Sequence, residues 1–255
     1  MRPPTLVGVI ERRLLVTFRV EPGAVAALVP APLRPQVVKG FAVAGICLLR
    51  LGGLRPRGAP AWAGRRSENA AHRIAVEWDV PGGVEHGVYI PRRDSSSLLN
   101  VAAGGRLFPG RHGRARFDVT ETADRLSVGF RTADGSGGAS VEARVSSRLE
   151  GSHLFADLGE ASRFFEQGAL GYSASRRPDR LDGVRLHTDA WRVEPLELDE
   201  VRSSFFDDRA TFGAGAAELD CGLVMRAVPV VWTVVPPMSV EARSAGPVLA
   251  GTLRD

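Results

Sequence analysis

Lysine is almost absent: the 33 basic residues of this 255-residue chain include one, Lys39. Arginine stays protonated and forms no imine, so Lys39 is the single candidate for Schiff-base chemistry. It falls at a Lys-Gly break between apolar stretches, where a turn lysine is ordinarily solvated. Cysteine is nearly as scarce. Cys47 and Cys221 lie too far apart in the chain for a disulfide framework and match no zinc spacing. Cys47, in AVAGICLL, reads as a small core hydrophobe. No apolar run approaches the ~18 residues of a membrane span. The opening MRPPTLVGVIERR lacks the apolar centre of a signal peptide, so a cytoplasmic location without a membrane partner is expected. No G-x-G-x-x-G follows a strand pattern, no P-loop is present, and Ser95, Ser96 and Ser97 lack a G-x-S-x-G frame. Neither dinucleotide, ATP nor serine hydrolysis is implied, and no cofactor is expected.

Concentrated charge is missing too. The net charge is +4 and the sequence pI about 9.8, but the arginines are scattered in doublets such as Arg12-Arg13, Arg65-Arg66, Arg92-Arg93 and Arg176-Arg177. A nucleic-acid binder gathers its charge into a stripe with aromatics between, so no nucleic-acid partner is expected. A coding bias toward Ala, Arg and Gly accounts for the pI.

What remains is an ordinary globular balance, 44% hydrophobic and 24% charged. No linker or repeat divides residues 1–255, so one domain is expected. Alternating or apolar runs predict strands at 14–20, 41–51, 73–79 and 87–90. Three more, at 114–120, 125–132 and 139–148, form a meander through ETAD and DGSGG. One or two strands fall within 184–198, and a last one over 219–235 is interrupted at Pro229. Residues 52–66, rich in Gly, Pro and Arg, read as a surface loop. Short helices are expected after Glu21-Pro22, over Leu98–Ala103, and over 157–167, where Leu158, Ala161, Phe164 and Phe165 share a face. Residues 201–207 fit a short helix or a strand. Roughly ten strands and three helices without a βαβ rhythm predict a mainly β fold, antiparallel and barrel-like, with a few short helices.

The stretch GVYIPRRDSSSLLNVAAGG gathers much of the candidate chemistry. Its strand should stop at Pro91, with Asp94 or Ser95 capping the next helix. Arg92, Arg93 and Asp94 then lie at a strand-to-helix junction fit to hold an anion. Arg92 and Arg93 can clamp a carboxylate in bidentate fashion; the alternative is solvated arginines or an arginine paired with Asp94. Glu68, Asn69 and His72 form a second cluster. On a helix, Glu68 and His72 would share a face as an acid/base pair; the alternative is a structural hydrogen bond tying a loop to a strand. His112 and Asp94 are the nearest further ligands, but no metal spacing results, and no metal site is expected. Tyr172, in GYSAS, either offers a phenol at a pocket mouth or packs under its loop.

RRLLVTFRVEP with LVPAPLRP, GFAVAGICLLRL, SENAAHRIAVEWD, GVYIPRRDSSS, GGRLFPG, GYSAS, LHTDAWRVEPLELDEVRSSFFDD and LVMRAVPVVW together resemble a bacterial domain-of-unknown-function family placed in the acetoacetate decarboxylase-like superfamily. The resemblance spans residues 8–232. It implies a barrel-like, mainly β fold with a pocket running into the barrel, acidic keto-acid-like ligands, and a homo-oligomer. The decarboxylase works through a Schiff-base lysine beside a second cation. Counting on from the family's charged pair, matched by Arg93-Asp94, lands near Asn100 and Val101, and residues 94–110 hold no lysine. Acetoacetate decarboxylation is therefore not expected.

The reading that results is a pocket protein for a small organic acid or carbonyl compound. In one form it is a cofactor-independent lyase, dehydratase or cyclase. Asp94, Glu68 or His72 would move protons, and Arg92, Arg93, Asn69, Asn100 and Tyr172 would hold the ligand. In the other it is a non-catalytic sensor or carrier of the same ligand class, for which the missing lysine speaks.

Overall fold

A computed structural model describes residues 5–105 and 109–240. Along the chain come β1 (Thr5–Val20), α1 (Pro22–Ala26), β2 (Arg34–Pro35), β3 (Val37–Val38), β4 (Phe41–Pro56), β5 (Arg65–Val80) and β6 (Gly83–Ser95). Then follow α2 (Leu98–Ala103), β7 (His112–Glu121), β8 (Arg125–Thr132), β9 (Gly138–Val145) and α3 (Leu158–Gln167). The described chain ends with β10 (Leu170–Ala174), β11 (Arg180–His187), β12 (Glu194–Ser203), α4 (Arg209–Phe212) and β13 (Ala217–Ser239). The mainly β expectation holds. Among the described residues no helix is long and apolar enough to cross a membrane.

All thirteen strands join one sheet, organised on a wall in the order β6-β5-β4-β1-β13. The two outer strands of the wall change partner part-way along. On the far edge of β13, β12 pairs with residues 222–224 and β11 with residues 231–239. On the far edge of β6, β10 pairs with residues 88–90 and β7 with residues 93–95. The sheet therefore closes twice on the same wall, once through β7-β8-β9-β12 and once through β10-β11. Closure leaves few strand edges open to pairing with another chain.

Two prolines mark the changeover points. Pro91 sits between the β10 and β7 pairings of β6, and Pro229 between the β12 and β11 pairings of β13. No neighbouring strand is laddered to those edges there, so a missing N–H removes no bond. The Pro229 carbonyl instead accepts from Thr188 Oγ1 at 2.8 Å. At Pro91 the ladder also bulges, with Ile90 and Pro91 both opposite Arg73. The strand end expected at Pro91 and the break expected at Pro229 are both corrected: β6 and β13 run through.

Other boundaries shift for related reasons. Residues 52–66 are only partly a loop, because β4 continues to Pro56, a short 3-10 turn covers Ala61–Ala63 and β5 starts at Arg65. Ser97, not Asp94 or Ser95, caps α2; its hydroxyl accepts from the Asn100 amide at 3.3 Å. Residues 201–207 finish β12 and then turn into α4. The Arg106, Leu107 and Phe108 portion of the GGRLFPG stretch lies outside the described residues.

Both faces of the wall are core. Successive side chains of a strand point to opposite faces. Leu14, Val16 and Phe18 enter one cluster with Ala44, Ile46, Leu48 and Ile74. Leu15 enters another with Cys47, Leu223 and Met225, covered by Phe155 and Ala161. Because both faces are dry, Leu14→Ala and Leu15→Ala should each lower the unfolding free energy by about 2–5 kcal/mol in urea titrations. A wall wet on one side would show the loss for only one of them.

Candidate functional site

Strand register decides which side chains meet. On the face bearing Leu14, one row across the wall reads Arg226, Arg12, Arg50 and Glu68. The next reads Val224, Leu14, Leu48, Ala70 and Asp94, and the third Gly222, Val16, Ile46, His72 and Arg92. On the opposite face the rows are Met225, Arg13, Leu49, Asn69 and Ser95, then Leu223, Leu15, Cys47, Ala71, Arg93 and His112, then Cys221, Thr17, Gly45 and Arg73. Arg92 and Arg93 thus point to opposite faces and do not form one clamp. His112 and Asp94 are divided in the same way.

On the first face most of the charges are matched; the exception is Arg226, whose Nη1 donates to the Ala123 carbonyl at 2.6 Å and which has no ion pair among the described residues. Glu68 accepts from Arg12 at 2.6 Å and also from Arg50. Glu121 binds the same two arginines, at 2.8 Å from Arg12, closing a four-membered ring of alternating charge. Asp94 is buried and accepts twice from Arg92, at 2.8 and 3.2 Å. Burial pushes its carboxyl above the ordinary range, with Arg92 opposing. Gly113 lacks the Cβ that would collide with Asp94 Oδ1. His72 lies among Phe130, Phe205 and Phe206, 4.6 Å from the Phe205 ring centre, and neither ring nitrogen has a hydrogen-bond partner among the described residues. Burial, with Arg92 adding to it, lowers His72 to about 3, so the ring is neutral. β5 is a strand, not a helix, and four extended residues separate Glu68 from His72 by about 13 Å. Asp94, Glu68 and His72 share a face without touching one another. Tyr172 packs edge-on against Trp78, 5.6 Å between ring centres, and burial raises its phenol.

The second face is different. Arg13 Nε donates to Cys47 Sγ at 3.3 Å, and its Nη1 lies 3.7 Å from Met225 Sδ. Arg93 Nε donates to Ser173 Oγ at 3.0 Å. Arg73 is only 9% exposed. Arg73 Nε and Arg93 Nη2 are buried with no hydrogen-bond partner among the described residues. Among the described residues none of these three arginines has an ion pair to a carboxylate. Burial lowers Arg73 and Arg93 to about 10, which leaves both protonated at neutral pH. Burial alone would push the Cys47 thiol up, but the three guanidiniums more than offset it and hold it below the ordinary thiol value. Nearby, Asn100 Nδ2 reaches Ser67 Oγ at 3.1 Å, Ser95 Oγ at 3.2 Å and Asn69 Oδ1 at 3.3 Å, and Ser95 Oγ donates to Asn69 Oδ1 at 2.7 Å. The structure therefore brings Asn69, Asn100 and Arg93 to this face and leaves Glu68, His72, Arg92 and Asp94 on the other. Sequence reasoning missed Arg13 and Arg73. The one available signal was an arginine inside an otherwise apolar strand run.

Residues 10–218 match the sequence profile of DUF2071, an uncharacterized conserved protein family. The chain belongs to this family. No curated protein matches the DUF2071 chain in sequence. Among solved structures it is similar to an acetoacetate decarboxylase from Legionella pneumophila, with 11% identity and a TM-score of 0.57 over 92% of this chain and 88% of that one. It is also similar to an acetoacetate decarboxylase-like enzyme from Sphingomonas wittichii RW1, with 14% identity and a TM-score of 0.58 over 95% of each chain. A third is the enduracididine biosynthesis enzyme MppR complexed with pyruvate, with 12% identity and a TM-score of 0.59 over 95% of this chain and 92% of that one. At such identities the likeness is one of fold, and the acetoacetate decarboxylase-like architecture expected from the sequence is shown. In the DUF2071 chain Asn100, where the resemblance points for the nucleophilic lysine, sits in a neutral amide–hydroxyl network. Lys39 is exposed in a left-handed turn between β3 and β4, with φ 47°.

The neutral histidines make the fold sensitive to acid. His72 takes a proton at about 3 and His112, lowered chiefly by burial, at about 4, whereas an unfolded histidine does so near pH 6.5. Between those values the unfolded chain binds more protons. Stability is therefore complete above about pH 6.5 and falls with pH, by up to about 1.4 kcal/mol per pH unit for each histidine. His72→Phe should remove one proton's share of that slope between about pH 6 and 5, measured by urea titration at graded pH. An unchanged slope would mean that His72 already protonates in the folded protein.

Proposed function

We propose that this DUF2071 protein binds a small organic acid on the Cys47 face of the wall. Arg73 and Arg93 would take the carboxylate with Arg13 near them at Cys47, while Asn69 and Asn100 would lie farther along the same face. One observation carries the reading: three arginines converge there without a carboxylate partner among the described residues. A buried unpaired cation costs several kcal/mol, and an incoming carboxylate removes that cost through charge-assisted, bidentate hydrogen bonds. A crevice between the wall and α3, lined by Gly45, Arg73, Ala75, Phe164 and Phe165, leads to Arg73. It holds about 20 Å³, the room of roughly one water, so a ligand must displace a phenylalanine as it enters. MppR, with the same fold, is described with pyruvate, an acid of suitable size. Without a lysine on this face, imine chemistry plays no part.

The test is thermal unfolding with pyruvate, acetoacetate and their uncharged amide or ester counterparts. A ligand at about a hundredfold excess over its Kd adds about 2.7 kcal/mol of stability, so the acids should raise the melting temperature and the neutral forms should not. Arg73→Met should make the empty protein more stable, because an uncompensated charge is lost, and should weaken acid binding by about 10- to 100-fold. Lys39→Ala should bind as the parent does, and borohydride should trap no adduct. Arg73→Met that destabilises the empty protein and leaves binding unchanged would make the arginine a packing residue and end the proposal.

A further inference from the structure

Cys47 is a buried reactive group on the face proposed to bind the acid, and that reading does not yet use it. It lies at the middle of the second face, in the row that also carries Arg93 and His112 and between the rows of Arg13 and Arg73. Every element of the wall packed around it has a distinct part. β1 brings the Arg13 Nε–H directly onto Sγ, β13 brings Met225 against the same guanidinium, β5 brings Arg73 and β6 brings Arg93. His112 of β7, next to Arg93, is neutral at ordinary pH. A donor aimed at sulfur, with guanidiniums on three strands and no carboxylate paired to any of them among the described residues, stabilises negative charge on that sulfur. Arg73, nine-tenths buried with Nε unpartnered among the described residues, borders the crevice together with Gly45, two residues from Cys47 on the same face.

We propose that Cys47 is held as a thiolate and acts as the nucleophile of the pocket toward the carbonyl carbon of a bound oxo acid. The proposal rests on the acid-binding reading above and deepens it. With the carboxylate on Arg73 and Arg93, Sγ adds to the carbonyl carbon. The S–C bond forms, the π pair of the C=O bond moves onto oxygen, and that oxygen takes a proton from water, leaving hydroxide. Nothing is oxidised or reduced, and the adduct, a thiohemiketal, reverses by the same path. Sulfur here fills the role that an amine fills in imine chemistry.

Two readouts test it on the full-length protein. The first is the ultraviolet absorbance of thiolate during a pH titration. A thiolate step below the ordinary thiol value of about 8.5 should be present in the parent and in Cys221→Ser, and absent in Cys47→Ser. Cys221 is a built-in control, because burial, with Asp220 adding to it, pushes its thiol up to about 12. The second is alkylation followed by peptide mass analysis. Here S–C forms, C–I breaks and iodide leaves. Iodoacetate should label Cys47 at least ~10-fold faster than uncharged iodoacetamide, because the arginines guide its carboxylate, and Arg73→Met should erase the preference. A Cys47 that titrates in the ordinary range, or that is labelled only after unfolding, or that shows no preference for the anionic reagent, overturns the proposal. If oxo acids still raise the melting temperature of the parent and of Cys47→Ser equally in that case, the nucleophile fails while the pocket stands. If no acid binds the parent at all, the pocket itself has failed.

Discussion

A β-strand sends successive side chains to opposite faces, and the five strands of this wall are buried on both. Everything chemical in the molecule follows from that pairing of alternation with two-sided burial. The doublets Arg12-Arg13 and Arg92-Arg93 look like single patches of charge in the sequence, yet each is cut in two. Arg12 and Arg92 enter a face where Glu68, Glu121 and Asp94 await them. Arg13 and Arg93 enter a face where they find sulfur and a serine hydroxyl. A shift of one residue in register would exchange the two sets and place paired and unpaired cations on the wrong sides.

The faces consequently differ in what they leave undone. On the first, each of Arg12, Arg50 and Arg92 has a carboxylate, and Arg226 donates to the Ala123 carbonyl. His72 belongs to the same finished structure: an imidazole kept neutral among phenylalanine rings contributes volume rather than charge. On the second, positive charge is gathered without a carboxylate partner among the described residues. Closure through β10 and β11 is what encloses this face, since Ser173 of β10 anchors Arg93 and α3, just before β10, carries the phenylalanines over Arg73. The fold thus builds the enclosed cationic face and its cover from one short segment of chain.

The sequence disclosed much of this architecture and little of its pairing. The meander of β7, β8 and β9 was legible because ordinary half-buried alternation and turn residues agreed. The amphipathic α3 was legible from the period of its apolar face. Pro91 and Pro229 misled because a proline argues for a strand end unless its N–H faces a gap in the ladder, and such a gap exists only once β6 and β13 exchange partners. Glu68 and His72 misled because a spacing of four puts residues on one face of a strand as well as of a helix, but about twice as far apart along a strand as along a helix. Arg93 and Asn69 were named from local signals and Asn100 from the resemblance, and the three do share a face. Arg13, Cys47 and Arg73 were not, because what unites them is the register of β1, β4 and β5, which no single stretch of sequence encodes.

The lysine that this face lacks and the thiol that it has are linked by the sign of the local field. A lysine nucleophile must lose its proton to react, and neighbouring cations lower its pKa toward neutrality. A cysteine must also lose its proton, and the same cations lower its pKa by stabilising the thiolate. A pocket crowded with guanidiniums therefore activates either nucleophile, whereas a pocket of carboxylates would activate neither. In the decarboxylase chemistry that the resemblance implies, a second cation serves the amine. Here Arg13, Arg73 and Arg93 would serve sulfur and, in addition, hold the substrate's carboxylate. The field that looks unbalanced in the folded protein is on this account the common requirement of binding and attack.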